Sequence, residues 1–192
     1  MLIETLKNKN NELGLKDTYA VIPSRGIETP IAYEYWSALF KHGLLKDRLS
    51  DLDDPDISEA MDFWVNSNNL YGVIHCESGD MVADFAIGHI TGKAGQLHFG
   101  FFPKGLSRKV KLELAQLVHG LILNTWRDPS DAEKSYLDTI YGLTPLQNKL
   151  ACAFVLKAGM RKVAVVPHAC THLNAIDDAM LTIKTSETHY GR

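Results

Sequence analysis

The sequence has little cysteine and no arrangement of cysteines typical of a disulfide framework. Its three cysteines among 192 residues are Cys76, Cys152 and Cys170, and no two of them form a Cys-x-x-Cys pair. An odd number of widely spaced cysteines indicates reduced thiols rather than structural disulfides. We therefore expect a cytoplasmic protein.

An excess of positive charge and long apolar runs are also missing. The chain has 20 Lys and Arg against 23 Asp and Glu, so it lacks the positive field with which nucleic-acid-binding proteins displace counterions. No window approaches the roughly 18 apolar residues that a membrane-spanning helix needs, and charged residues interrupt residues 1–15, where a signal peptide would have its apolar core. We expect no nucleic-acid partner and no membrane partner.

The sequence does contain enough apolar residues, 45% of the chain, for one continuous core. Apolar runs, turn residues and helical periodicity predict the order β-α-α-β-β-β-α-β-α-β-β in one domain over residues 1–192. The predicted strands are 19–23, 70–76, 81–90, 96–102, 137–143, 163–166 and 179–183, and the predicted helices cover about 31–45, 60–65, 110–121 and 145–158.

Short turns and helical crossovers together predict the sheet. Turns at 78–80 and 91–95 are too short for anything but antiparallel neighbours. Two later helices connect strands as crossovers, and each carries an apolar stripe that would be buried: Val110, Leu114, Leu117, Val118 and Leu121 in one, and Leu150, Ala151, Phe154, Val155 and Ala158 in the other. The fold class is therefore α/β (α+β), with a mixed sheet and helices on both faces.

The segment after the predicted strand 137–143 carries a distinctive pattern. Asn148 opens a helix, Ala151 lies three residues later, and Gly159 and Met160 follow eleven and twelve residues after Asn148. This strand-then-helix pattern, with residues 177–181 at the start of the last strand, resembles the GNAT superfamily of acyl-CoA N-acyltransferases over residues 70–185.

The resemblance implies a single three-layer α/β/α domain of the GNAT-like fold. Residues 1–69 would supply a strand and helices on the acceptor side, and 70–136 the strand meander and the helix after the cofactor loop. Residues 137–192 would supply the second crossover and the C-terminal hairpin.

The resemblance also implies acetyl-CoA as co-substrate. In the family two parallel central strands, here 96–102 and 137–143, part around the thioester, and the diphosphate binds free N–H groups at the next helix start. The residues implied to bind it are Phe101, Phe102, Lys104, Gly105, Ser107, Arg108, Lys109 and Asn148.

The phosphate loop departs from the family pattern. Leu106, Ser107 and Lys109 stand where the family has Gln or Arg, then Gly, then Gly or Ala. The loop could bind an anion through its hydroxyl and cationic side chains. Alternatively, Ser107 only caps the helix and the cations face water. The sequence leaves both readings open.

The implied catalytic residues also differ from the family. Val155 occupies the position of a tyrosine that protonates the leaving thiolate, and Tyr141 on the preceding strand is a substitute or, alternatively, a core residue. His98 is a candidate general base, because a histidine can deprotonate an ammonium through water near pH 7. The alternative is a structural histidine, and His75, Glu77 and Asp84 are further candidates.

Three other groups have simpler alternatives. His168, Cys170 and His172 could bind a metal, but a solvent-facing turn in the end hairpin is the expected reading, so no metal is expected. Cys76 beside His75 would face away from it on a strand. The five aspartates in 47–56 could receive a cationic amine, or form a solvated loop that caps the next helix.

Two functions remain open from the sequence. The first is an N-acyltransferase that moves an acetyl group from acetyl-CoA to a primary amine of a small molecule or protein. The second is a catalytically inactive GNAT-like binding or assembly protein of phage or mobile-element type, which the altered phosphate loop and Val155 favour. The partners would be acyl-CoA and an amine acceptor, and a homodimer is one option for the oligomeric state.

Overall fold

The computed structural model describes residues 19–49, 54–67, 69–102, 105–128, 131–172 and 175–186. No helix in these ranges is long and apolar enough to cross a membrane. The described chain divides into an N-terminal unit, residues up to 86 together with 99–107, and a C-terminal unit, residues 87–98 together with those from 108 onward.

The N-terminal unit contains most of the helices predicted for the first half of the chain. Its elements are β1 (Tyr19–Pro23), a 3-10 turn (Ser24–Gly26), α1 (Thr29–Lys41), α2 (Leu45–Arg48), α3 (Ile57–Asn66) and β2 (Leu70–His75). It also contains the first part of β3 (Met81–Thr91) and the last part of β4 (Ala94–Phe101). β1, β2 and β3 pair antiparallel in sequence. The predicted helix 31–45 is thus two helices, separated where Gly43 adopts φ +68°.

Aromatic side chains dominate the core of the N-terminal unit. The indoles of Trp36 and Trp64 are fully buried, and their centroids lie 6.0 Å apart at 68°. Trp36 comes from α1 and Trp64 from α3, so the contact ties the two helices together. These tryptophans therefore serve in packing.

A reciprocal cap starts α3 where the sequence predicted one. The Asp56 carboxylate accepts a hydrogen bond from the Glu59 backbone N–H at 2.9 Å, and the Glu59 carboxylate accepts one from the Asp56 N–H at 2.9 Å. This capping box satisfies two donors that the helix itself leaves unpaired. Asp56 therefore acts as a helix cap.

The C-terminal unit contains the rest of the chain. Its elements are α4 (Arg108–Gly120), a π-helical turn (Leu121–Thr125), β5 (Arg127–Asp128), β6 (Asp131–Ser135), β7 (Thr139–Pro145), α5 (Lys149–Lys157), β8 (Arg161–His172) and β9 (Ala175–Thr185). The α4 stripe is confirmed, with four of its five residues buried: Leu114, Leu117, Val118 and Leu121. Beyond it, Ile122 and Leu123 continue the buried surface through the π-helical turn.

The seven-stranded sheet has the order β1-β2-β3-β4-β7-β9-β8. β4 and β7 are parallel, whereas β7, β9 and β8 pair antiparallel. The mixed sheet predicted from the sequence is confirmed, and so is the parallel pair of central strands that the resemblance implied.

Several local predictions were wrong. The predicted strands did not include β5 and β6, which pair with each other. The end hairpin has longer strands than expected, so His168, Cys170 and His172 lie in β8 rather than in the hairpin loop. Pro145 ends β7 and does not open the following helix. Leu150, expected in the buried stripe of α5, is 86% exposed.

Candidate functional site

The parallel contact between β4 and β7 is short. Within the described strands it comprises Ala94 with Thr139, Gly95 with Ile140, and Gln96 with Tyr141. Both strands continue past these pairs, β4 to Phe101 and β7 to Pro145. β7 pairs with β9 along its entire length, so the part of β7 beyond Tyr141 remains in the sheet through its other edge.

Close packing fixes the start of this ladder. A Cβ atom on Gly95 would lie 2.9 Å from side-chain carbons of both Ile87 and Leu137. Real Cβ atoms essentially never approach neighbours that closely. Glycine therefore allows β4 to pass between these two side chains as it meets β7.

The two predicted catalytic residues project from one face of the C-terminal unit. Tyr141 is the register partner of Gln96, and His98 lies two residues beyond Gln96 on β4. Because side chains alternate along strands, His98 and Tyr141 share a face. The Tyr141 hydroxyl donates to the His89 carbonyl at 3.3 Å, and His98 is exposed. Their catalytic roles stay predictions.

Asn148 holds the start of α5. Its side-chain oxygen accepts a hydrogen bond from the Ala151 N–H at 3.0 Å, which is the capping geometry that asparagine favours. At the other end Gly159 adopts φ +91°, a conformation that costs glycine little. Met160 follows and is buried with its sulfur 3.7 Å from the Thr182 hydroxyl oxygen. Asn148 and Gly159, which are part of the pattern that resembles GNAT proteins, thus mark the two ends of this helix. Cofactor binding by Asn148 stays a prediction.

The loop before α4 is partly described. Gly105 has φ +90°, Ser107 directly precedes the first residue of α4, and Arg108 is exposed. The Lys109 ammonium lies 3.8 Å from the Glu113 carboxylate across one helical turn. Lys104 lies outside the described residues. The start of α4 therefore presents cationic side chains, which anion binding through side chains would require.

The two phenylalanines predicted to contact the co-substrate lie at the end of β4. The Phe101 ring packs 4.7 Å from that of Phe99, centroid to centroid. The Phe102 N–H donates to the Val82 carbonyl at 2.8 Å, and the Phe102 ring lies 6.0 Å from that of Tyr35. Both rings are half-buried and contribute to the packing of the N-terminal unit.

A cavity of about 680 Å³ lies within the N-terminal unit. Its walls come from β1, α1, the turn between β2 and β3, and the segment after β4. Among the residues that line it are Tyr19, Glu34, Tyr35, His75, Asp80 and Phe102. Small-molecule sites commonly have volumes of about 300 to 1,000 Å³. The cavity has the size of such a site.

A buried polar network supports one wall of this cavity. The Tyr35 hydroxyl donates to Asp84 Oδ1 at 2.5 Å, and Arg48 Nε donates to Asp84 Oδ2 at 2.7 Å. A second Arg48 nitrogen also pairs with Oδ2. Burial and the Asp84 charge raise the pKa of Tyr35 well above its usual value. Burial lowers the pKa of Arg48, but attraction to Asp84 outweighs it, so that pKa is raised.

This network changes the interpretation of Asp84. The sequence offered it as a candidate general base, but the carboxylate is fully buried and has both oxygens engaged. It therefore orients Tyr35 and neutralises Arg48. Sequence reasoning missed the network because its three members come from α1, α2 and β3.

The remaining candidates lie in simple surroundings. His75 Nδ1 is 3.1 Å from the Ser78 hydroxyl, and Cys76 is exposed in the turn that follows. His168 Nδ1 lies 4.0 Å from Asp178 Oδ1, and the Cys170 thiol donates to the Asp177 carbonyl at 3.6 Å. Burial raises the pKa of Cys170, which makes it a poor nucleophile.

Comparison with solved structures identifies the architecture. An acetyltransferase of the GNAT family from Bacillus anthracis superposes with TM-score 0.65 at 14% identity, over 88% of this chain and 95% of the other. Spermidine N-acetyltransferase from Vibrio cholerae, in complex with CoA and spermine, superposes with TM-score 0.62 at 9% identity, over 89% and 97%. No family model and no curated protein matches the sequence. The chain therefore has the fold of the GNAT acetyltransferases.

Proposed function

We propose that the protein is an acyl-CoA-dependent N-acyltransferase that uses acetyl-CoA and acetylates a primary amine of a small molecule or protein. The observation that carries the proposal is the short parallel ladder between β4 and β7 in a chain with the GNAT fold. After Gln96 and Tyr141 both strands run on without a further β4–β7 pair among the described residues, and an extended pantetheine chain would enter between them there.

The start of α4 would hold the phosphates. Unpaired N–H groups and the helix dipole favour an anion at a helix N-terminus. Arg108 and Lys109 add two exposed positive charges there, and the positive φ of Gly105 turns the chain into the helix. In this arrangement side-chain cations take the place of the family's glycine-bounded amides.

The chemistry needs a neutral amine and a protonated leaving group. Acetyl-CoA supplies a thioester, whose thiol leaves readily once an aligned amine attacks the carbonyl. His98 would take a proton from the acceptor ammonium, directly or through water. The Tyr141 hydroxyl would return a proton to the leaving sulfur after releasing the His89 carbonyl, since both side chains project from one face.

A second candidate, a non-catalytic assembly protein, rests on one observation. Val155, at the position of the family's catalytic tyrosine, is half-buried and has no proton to donate. Such a protein would keep the Asn148 cap, because that cap stabilises the fold whether or not the protein turns over substrate.

The first test is thermal unfolding with and without acetyl-CoA. A ligand that binds only the native state at a hundred times its dissociation constant adds about 2.7 kcal/mol, or roughly 5 to 10 °C for a chain of this size. Arg108→Ala with Lys109→Ala should remove the shift. Arg161→Ala with Lys162→Ala, an equal loss of exposed charge on β8, should keep it. No shift in the unmodified protein would favour the non-catalytic candidate.

A further inference from the structure

The cavity of the N-terminal unit carries negative charge. Glu34 lines it from α1, and Asp80 from the turn that precedes β3. Among the described lining residues none is a lysine or arginine. Within the described part of the chain, neither the Glu34 nor the Asp80 carboxylate has a salt-bridge partner, so both are available to a ligand.

Aromatic and apolar side chains also line the cavity. The ring of Tyr19 lies 5.4 Å from that of His75, and the ring of Tyr35 lies 6.0 Å from that of Phe102. All four residues line the cavity. Aromatic faces attract organic cations, and they also pack against a hydrocarbon chain.

The aromatic wall is rigid. Tyr35 is almost fully buried, and its hydroxyl is held by Asp84, which Arg48 holds in turn. A wall fixed in this way loses little conformational entropy when a ligand binds. The cavity also includes Gly105 and Leu106.

We propose that this cavity binds a diamine: two ammonium groups joined by a flexible hydrocarbon chain. The two carboxylates match two positive charges, and the aromatic walls match the chain between them. Anionic or zwitterionic ligands would place a carboxylate against Glu34 or Asp80 and be repelled.

Titration calorimetry without acetyl-CoA tests the inference. The probes are 1,5-diaminopentane, 1-aminopentane, which lacks the second charge, and glutarate, which has the opposite charges. We expect the diamine to bind about tenfold more tightly than the monoamine, since one charge-assisted hydrogen bond is worth about 1.4 kcal/mol or more. Glutarate should not bind.

Matched variants assign the charges. Glu34→Gln with Asp80→Asn should weaken diamine binding at least tenfold and remove the preference for the diamine. Both side chains are exposed, so the fold should be retained, and circular dichroism checks this. Asp62→Asn, an equally exposed carboxylate on α3 outside the cavity, should bind the diamine normally.

The opposite results would overturn the inference. They are equal affinity for the monoamine and diamine, no diamine binding, or unchanged binding by the double variant. Because acetyl-CoA is absent, this failure is distinguishable from failure of the proposed function. Diamine binding without stabilisation by acetyl-CoA would refute the acyltransferase and leave the diamine site intact.

Discussion

The Tyr35 hydroxyl donates to Asp84 Oδ1 at 2.5 Å, inside the core of the N-terminal unit. The same carboxylate pairs with Arg48, so α1, α2 and β3 meet at one buried charge. The network is the main polar feature of the described N-terminal core. The Tyr35 wall of the proposed diamine site therefore depends on Asp84 and Arg48, which do not line the cavity.

Arg48→Met should therefore destabilise the protein strongly. Removing one partner of a buried ion pair leaves the other charge uncompensated, at a cost of about 3 to 5 kcal/mol. Chemical denaturation followed by circular dichroism measures this. Glu113→Gln is the control, because its exposed pair with Lys109 should contribute less than about 0.5 kcal/mol. Equal effects of the two substitutions would show that Asp84 does not need Arg48.

Gly100→Ala should disturb the same network from β4. A Cβ atom there would overlap Asp84 Oδ1 and lie 3.2 Å from Arg48 Cδ and Nε. Forcing such an overlap in a packed core costs about 1 to 3 kcal/mol. Gly88→Ala on β3 is the matched control, since its Cβ would meet nothing within 4 Å and alanine restricts the unfolded chain. If Gly100→Ala lowered the free energy of unfolding no more than Gly88→Ala does, the close approach of position 100 to Asp84 would be contradicted.

The burial of His119 should make the folded protein less stable in mild acid. The residue is only 3% exposed, and its Nδ1 has no hydrogen-bond partner among the described residues. Burial first, and repulsion from Lys184 second, lower its pKa from 6.5 to about 4. In the unfolded chain this histidine therefore gains its proton near pH 6.5, whereas in the folded protein it does so only near pH 4. Stability falls as the pH drops through that interval, by about 3 kcal/mol.

Denaturation between pH 7 and pH 4 tests this in two variants. His119→Gln should flatten the pH dependence, whatever its effect on stability at neutral pH. His168→Gln, at an exposed position on β8, should keep the full slope. A slope that survives in His119→Gln would assign the acid sensitivity to other groups.

Local signals predicted much of the fold. Asp56 and Asn148 begin helices, as the short-range hydrogen bonds of their side chains predict. Gly159 follows the end of a helix at positive φ, which glycine adopts easily. The turn residues at 78–80 and 91–95 fixed the meander, because a short connection allows only antiparallel neighbours. These features depend on residues a few positions apart, which a sequence displays directly.

The site was less predictable because its contacts are long-range. Tyr35 and Asp84 are 49 positions apart, and nothing near Tyr35 marks it as a network residue. Glu34 and Asp80 read as ordinary surface carboxylates until the chain brings them to one cavity. Leu150 was predicted to be buried but is exposed. Helical periodicity identifies an apolar stripe, but it does not show whether another element covers that stripe.

The central claim is acyl transfer, and its most direct measurement is product formation. The protein is incubated with acetyl-CoA and 1,5-diaminopentane, and mass spectrometry follows the N-acetylated diamine while a thiol reagent follows free CoA. The account predicts equal amounts of the two products, formed faster than without protein, and strongly reduced formation by Arg108→Ala with Lys109→Ala. Should a panel of diamines, monoamines and lysine peptides all give CoA release no faster than buffer, the account would be contradicted.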